Sequence, residues 1–206
     1  RYLWMSIGLA ITFITGSLVA NNPSVLVSIF SNYTPIVLLL VEVALVIFLT
    51  ARIRKLSPSV AKILFIVYSV LTGMTFSVIF LAYNVSSIMT IFLVTAIIML
   101  VLAYIGTNTN IDLTKFGTYL FMALIGIVIV TIVNIFVGSS TLQLVACIIS
   151  LVVFIGYIAY DVQNIIRMSE DMDLEEDNLA IFGALQLYLD FINIFLDLLR
   201  LFGKNK

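Results

Sequence analysis

The feature that most constrains this chain is a series of apolar runs, each long enough to cross a bilayer. A spanning helix needs about 20 mostly apolar residues. Such runs occur near 2–20, 33–51, 60–83, 87–106, 116–137, 142–166 and 179–199. The breaks between them are short and rich in turn residues, as in Asn21-Asn22-Pro23-Ser24, Ser57-Pro58-Ser59, Asn84-Val85-Ser86, Thr107-Asn108-Thr109-Asn110 and Gly138-Ser139-Ser140. The runs are continuous rather than alternating, which argues against barrel strands, and an open sheet cannot satisfy its backbone in lipid. The sequence therefore predicts an all-α integral membrane protein, a single seven-helix transmembrane domain over residues 1–206 with no room for a separate soluble domain. Composition agrees: 63% of residues are hydrophobic and 10% charged, against about 25% charged in soluble domains.

Several function classes drop out. A net charge of -1 with no basic tract gives no electrostatic footprint for nucleic acid. The single cysteine, Cys147, forms no intrachain disulfide and no cysteine-based metal site. The absence of histidine removes Ser-His, Cys-His and HExxH chemistry. No enzyme and no cofactor are expected. Basic residues alternate along the breaks: the first, third and fifth have none, while the second holds Arg52, Arg54, Lys55 and Lys62. With Arg1, Lys115 and Arg167 they mark the N-terminal side as cytoplasmic. The tail, with Arg200, Lys204 and Lys206, runs against that pattern, so a re-entrant last segment stays open. Gly8, Thr12 and Gly16 fit close helix contacts.

Ionisable groups inside spans are costly, about 2.5–3.5 kcal/mol for a central Asp on insertion scales. Four carboxylates fall inside spans: Glu42 at the middle of the second, Asp161 near the inner end of the sixth, and Asp190 and Asp197 in the seventh. In the last run Gln186, Asp190, Asn193 and Asp197 are spaced i, i+4, i+7 and i+11, one continuous face of a helix. In the sixth, Tyr157, Asp161 and Asn164 share a face in the same way. Such stripes line either an ion path or a sealed polar network. Asp161 lies six residues before Arg167, roughly 9 Å from the inner boundary, and Asp190 eleven residues beyond Leu179, roughly 16 Å deep. Helix tilt closes that gap, and two carboxylates in low dielectric cannot both ionise cheaply, so they titrate as a unit. The pair is a proton sensor that needs no histidine. Arg52 and Arg54 have the depth to pair with Asp161, and Glu42 and Arg200 to form a second buried pair. The acidic run Glu170-Asp171-Met172-Asp173-Leu174-Glu175-Glu176-Asp177 reads as a solvated loop and lacks the glycine and final glutamate of an EF-hand.

The stretches Tyr160-Asp161-Val162-Gln163-Asn164-Ile165 and Leu187-Tyr188-Leu189-Asp190-Phe191-Ile192-Asn193-Ile194-Phe195-Leu196, followed by Leu198-Leu199-Arg200, resemble the Bax inhibitor family, the transmembrane Bax inhibitor motif proteins. The second motif is long and closes a seven-span chain, and the first sits one span earlier. The resemblance implies a bundle whose last helix is central, acting as a pH-sensitive calcium leak. It places the family's paired-aspartate sensor on Asp161 and Asp190, with a transient Ca2+ contact there, and the family's gating arginine on Arg52 or Arg54. Glu42 and Arg200 match positions that pair outside the sensor, while Asp197 departs from the pattern. Short loops bring the chain closest to bacterial members, implying a bacterial plasma membrane with a cytoplasmic N-terminus.

The leading expectation is thus a pH-sensitive, calcium-permeable leak channel, its partners being the lipid bilayer, Ca2+ and H+. Two alternatives compete. One is a proton-coupled cation transporter, in which the two aspartates carry protons across. The other is a regulatory membrane protein acting on a membrane protease or cell-death partners.

Overall fold

A computed structural model of the chain describes residues 1–170 and 176–206. Most of the acidic run, residues 171–175, lies outside the described residues. Eight helices follow in order: α1 (Tyr2–Ala20), α2 (Pro23–Phe30), α3 (Thr34–Arg52), α4 (Pro58–Ala82), α5 (Val85–Asn108), α6 (Gly117–Val137), α7 (Ser140–Glu170) and α8 (Glu176–Phe202). A 3-10 turn, Leu113–Phe116, leads into α6. Seven of the helices are long and apolar enough to span a membrane, as the runs predicted. The exception, α2, was not foreseen. At eight residues it rises roughly 12 Å, too short to cross, and it forms because Pro23 stands at the start, where a missing N–H costs nothing.

Local chemistry sets the ends. Pro35 and Pro58 open α3 and α4 in the same way. Gly138 closes α6 in the left-handed conformation at φ 66°, and its N–H is donated to the Asn134 carbonyl. Asp112 caps the 3-10 turn, accepting from the Thr114 N–H at 3.2 Å. Helices α5, α7 and α8 overrun the predicted spans at both ends, because hydrogen bonding continues past the apolar stretch into polar sequence.

By packing the described chain divides into two compact units. The first comprises residues 1–85, 168–188 and 205–206, and the second 86–167 and 189–204. In the first unit α1 crosses α4 closely. A Cβ added at Gly8 would meet the Phe65 ring at 2.6 Å, and one at Gly73 would stand 2.7 Å from the Thr12 carbonyl oxygen. Gly8, Thr12 and Gly16 thus lie at a real crossing. Thr12 donates to the Ser69 carbonyl at 2.9 Å and hydrogen-bonds the buried Tyr188 hydroxyl. Phe65 and Tyr68 pack edge-on against the Tyr188 ring. At the other end of this unit, Asn178 donates to the carbonyls of Ile53 (2.9 Å) and Leu56 (2.7 Å), pinning the α3–α4 turn to the start of α8.

In the second unit a Cβ on Gly106 would lie 2.7 Å from the Ala159 carbonyl, so α5 and α7 nearly touch backbones. Phe92 packs on Phe191 and Phe195 with ring centroids 5.1 and 6.4 Å away. Gln163, buried on α7, accepts from the Leu113 N–H at 2.8 Å and donates to the Ile111 carbonyl at 2.9 Å, holding the turn before α6. Arg167 bridges to Asp112 at 2.8 Å. Buried hydroxyls in lipid need a partner; Ser69, Ser77 and Thr95 find it in carbonyls of their own helices, at 2.9, 2.7 and 2.7 Å. Among the spanning helices α8 is the most enclosed, with 61% of its apolar stretch buried, while α6 has none.

Candidate functional site: a carboxyl pair on the last two helices

Asp161 belongs to α7 and Asp190 to α8, and both lie in the second unit. They are 6% and 3% exposed. Their carboxyl groups lie close enough to interact directly. Ionised carboxylates only accept hydrogen bonds, so a bond between two carboxyls holds one proton. Asp190 Oδ2 is buried and has no hydrogen-bond partner among the described residues. A buried, unsatisfied oxygen of this kind is expensive and rarely accidental. The two sequence stripes account for the meeting: each aspartate sits on the polar face of its helix. Tyr157, one turn before Asp161, is close enough to interact electrostatically with both. The apolar Phe191 next to Asp190 packs beneath Phe92, which shields that side from water.

The other predicted residues are distributed differently. Gln186 and Asn193 are half-buried on α8, and Asn193 donates to the Leu189 carbonyl of its own helix at 2.8 Å. Glu42 lies in the first unit, half-buried beside Thr75, with Oε1 unpartnered and facing a cavity of about 230 Å3 that Leu39 and Tyr68 help to line. Arg200 stands 3.6 Å from Asp197. The expected Glu42–Arg200 pair is therefore replaced by an ion pair within α8, since i,i+3 spacing puts a carboxylate next to Arg200 without any long-range fit. Arg52 closes α3 and Arg54 follows it; both are exposed, and neither forms an ion pair among the described residues.

Asp197 is more deeply built in than the sequence suggested. It is 3% exposed, and the Ser150 hydroxyl donates to Oδ2 at 2.6 Å, with the Cys147 thiol 3.6 Å from Oδ1. Those partners are remote in sequence and look like ordinary core. Gln163 and Asn178 were missed as structural polar residues for the same reason. Among the described residues no three carboxylate, thiol or imidazole groups gather as a metal cage, so the pair would meet a cation with two carboxyls and water.

The fold and its buried carboxyl pair define an all-α, seven-helix integral membrane protein with an ionisable centre between its last two helices. A family described as inhibitor of apoptosis-promoting Bax1 matches residues 1–206, and the chain belongs to this Bax inhibitor family. It is 43% identical over 210 residues to the inner membrane protein YbhL of Escherichia coli K12, covering 100% of this chain and 90% of that one. It is 41% identical to an uncharacterized protein of Borreliella burgdorferi over 98% of this chain and 89% of the other. A Deinococcus radiodurans protein is 38% identical over 97% and 87%.

Proposed function

We propose that this protein is a non-catalytic, pH-sensitive leak pathway for calcium in the inner membrane of a bacterium, with Asp161 and Asp190 as the proton sensor. The observation that carries the reading is the close carboxyl pair, buried on two spanning helices with Asp190 Oδ2 unpartnered among the described residues. A shared proton ties α7 to α8 and leaves a single negative charge. Loss or gain of one proton changes that charge by one full unit where the dielectric is low, a large electrostatic change for a small chemical one. Carboxyl oxygens are hard donors that suit Ca2+, and two of them with water hold it loosely enough to let it leave. The inner membrane location follows the printed name of the E. coli relative, and the N-terminus is taken as cytoplasmic from the basic α3–α4 turn. In this reading Arg52 or Arg54, exposed at the end of α3, is the gating partner whose charge keeps the path closed at alkaline pH.

Calcium flux into proteoliposomes that contain only this protein, followed from about pH 5 to pH 8, tests the reading. Flux that rises with acid, and loses its pH response in Asp190→Asn, supports it. Proton movement coupled to calcium in fixed ratio would make the protein a transporter instead, and a flux-silent parent protein would overturn the leak.

A further inference from the structure

Between α6, α7 and the C-terminal half of α8 lies a cavity of about 370 Å3, lined by Asn134, Gln143, Cys147, Ser150, Asp197 and Arg200 together with apolar residues of α6. It opens along α6 from its middle onward, away from the places where glycines bring α6 and α7 together. There Gly117 sits under the Tyr160 ring and Leu120 against Gly156, whereas a Cβ on Gly126 would meet nothing within 4 Å. No residue of α6 is buried, so the crevice lies beside a helix whose outer faces are in lipid.

The cavity carries two opposite charges that are only loosely paired, 3.6 Å apart. Asp197 is 3% exposed; its Oδ2 takes the Ser150 hydroxyl at 2.6 Å, but Oδ1 has only a thiol and the Arg200 Nη1, each at 3.6 Å. A good charged N–H···O bond is about 2.7–2.9 Å, so this oxygen lacks a strong donor. Arg200, with 54% of its side chain exposed, stands at the rim, and Asp197 is the one carboxylate within 4.0 Å of it among the described residues. A bare divalent cation is repelled by the guanidinium, and a bare anion by the carboxylate. A ligand bearing both charges fits. We propose that this crevice binds a phosphoethanolamine group, its primary ammonium donating to Asp197 Oδ1 and its phosphate taking the free N–H groups of Arg200.

Asn134 Oδ1, which already accepts the Ser139 N–H at 3.0 Å, and the Gln143 amide, both on the lining, supply the further acceptors a three-donor ammonium requires. A trimethylated ammonium has no N–H to give, and a glycerol headgroup has no cation. Ile127 and Ile135 continue the wall with apolar surface on which acyl chains can lie. The same chemistry is presented by a membrane phospholipid and by free phosphoethanolamine. The inference is independent of the calcium reading.

Native mass spectrometry of the purified full chain in detergent tests it. The protein is offered phospholipids with identical acyl chains and phosphoethanolamine, phosphocholine or phosphoglycerol headgroups. The first should be retained about tenfold more than the others, the scale of one charge-assisted hydrogen bond. Arg200→Gln, on an exposed side chain, and Asp197→Asn should each abolish that preference, while Asp177→Asn in the other unit keeps it. Equal retention of all three headgroups by the parent protein, or an unchanged preference in Arg200→Gln and in a folded Asp197→Asn, overturns the proposal. Displacement of the lipid by soluble phosphoethanolamine supports the site and names a free solute as an occupant. Resistance to it supports the site and assigns it to the lipid.

Discussion

Asp190 and Asp197 are two turns apart on one helix, equally buried, yet they face different company. Asp190 meets a second carboxyl; Asp197 meets a hydroxyl, a thiol and a guanidinium. Asp190→Asn should therefore flatten the pH profile of calcium flux much more than Asp197→Asn, measured side by side in proteoliposomes; equal effects would dissolve the distinction. Asp112 supplies a contrast outside the spans. The Thr114 hydroxyl first, then the Thr114 N–H and the Arg167 guanidinium, hold its carboxyl below the usual carboxylate range. A depressed value means that the clasp is at full strength above the ordinary range and fades only as pH falls through the lower, folded value. Between about pH 5 and pH 8 it stays charged, so Asp112→Asn should leave the shape of the flux profile unmoved over that window. The sequence made the Asp161–Asp190 meeting legible, because both residues sit in i, i+4, i+7 stripes that a helix turns into faces. It did not make the setting of Asp197 legible, since Ser150 and Cys147 lie 47 and 50 residues away and periodicity carries no information about which faces meet.

Helix crossings here are decided by glycines whose neighbours are backbone. At Gly73 an added methyl would stand 2.7 Å from the Thr12 carbonyl and 2.7 Å from Thr15 Cβ. Gly73→Ala should force α1 and α4 apart and cost about 1–3 kcal/mol, as overpacking does, read as a lowered unfolding midpoint in detergent. Gly126→Ala, facing open space, should be neutral or slightly stabilising in the same assay, because alanine is the better helix former by about 1 kcal/mol. If the two shifts are alike, the crossing is not where the stability lies. The seven long helices were readable from apolar length alone. The short α2 was not: an eight-residue helix contributes too few apolar turns to be told from a loop, and only Pro23 hinted at it.

For the whole molecule, the tail bears on a question the charges left open. Lys206 donates from its N–H to the Ala82 carbonyl at 3.1 Å and from Nζ to the Phe80 carbonyl at 2.7 Å, and Asn84 donates to the Asn205 carbonyl at 3.2 Å. The tail thus meets the end of α4 opposite the α3–α4 turn that Asn178 holds. A tail bonded there is what a full crossing by the last helix requires. With Cys147 replaced, a single cysteine placed at Asn205 should react with a membrane-impermeant thiol reagent in intact cells, and one placed at Ser57 should not. The reverse pattern would invert the proposed orientation. The gate belongs to this scale too. Coupling of about 1–3 kcal/mol shifts an equilibrium roughly 5- to 150-fold, so if an arginine gates the path, Arg52→Ala or Arg54→Ala should raise flux at alkaline pH. If Arg52→Ala and Arg54→Ala both fold and keep the parent's profile, the tie is made elsewhere.

One consequence of the way α8 is divided concerns synthesis. Residues 176–188 belong to the first unit and 189–202 to the second. Chains usually complete their N-terminal portion while the ribosome is still working, but here each unit draws part of its core from the last spanning helix to be made. Until that helix is inserted, Thr12 waits for Tyr188, Phe92 waits for Phe191, and the lone Asp161 carboxyl is without its counterpart. The helices made before it therefore wait, each half short of the side chains that α8 supplies.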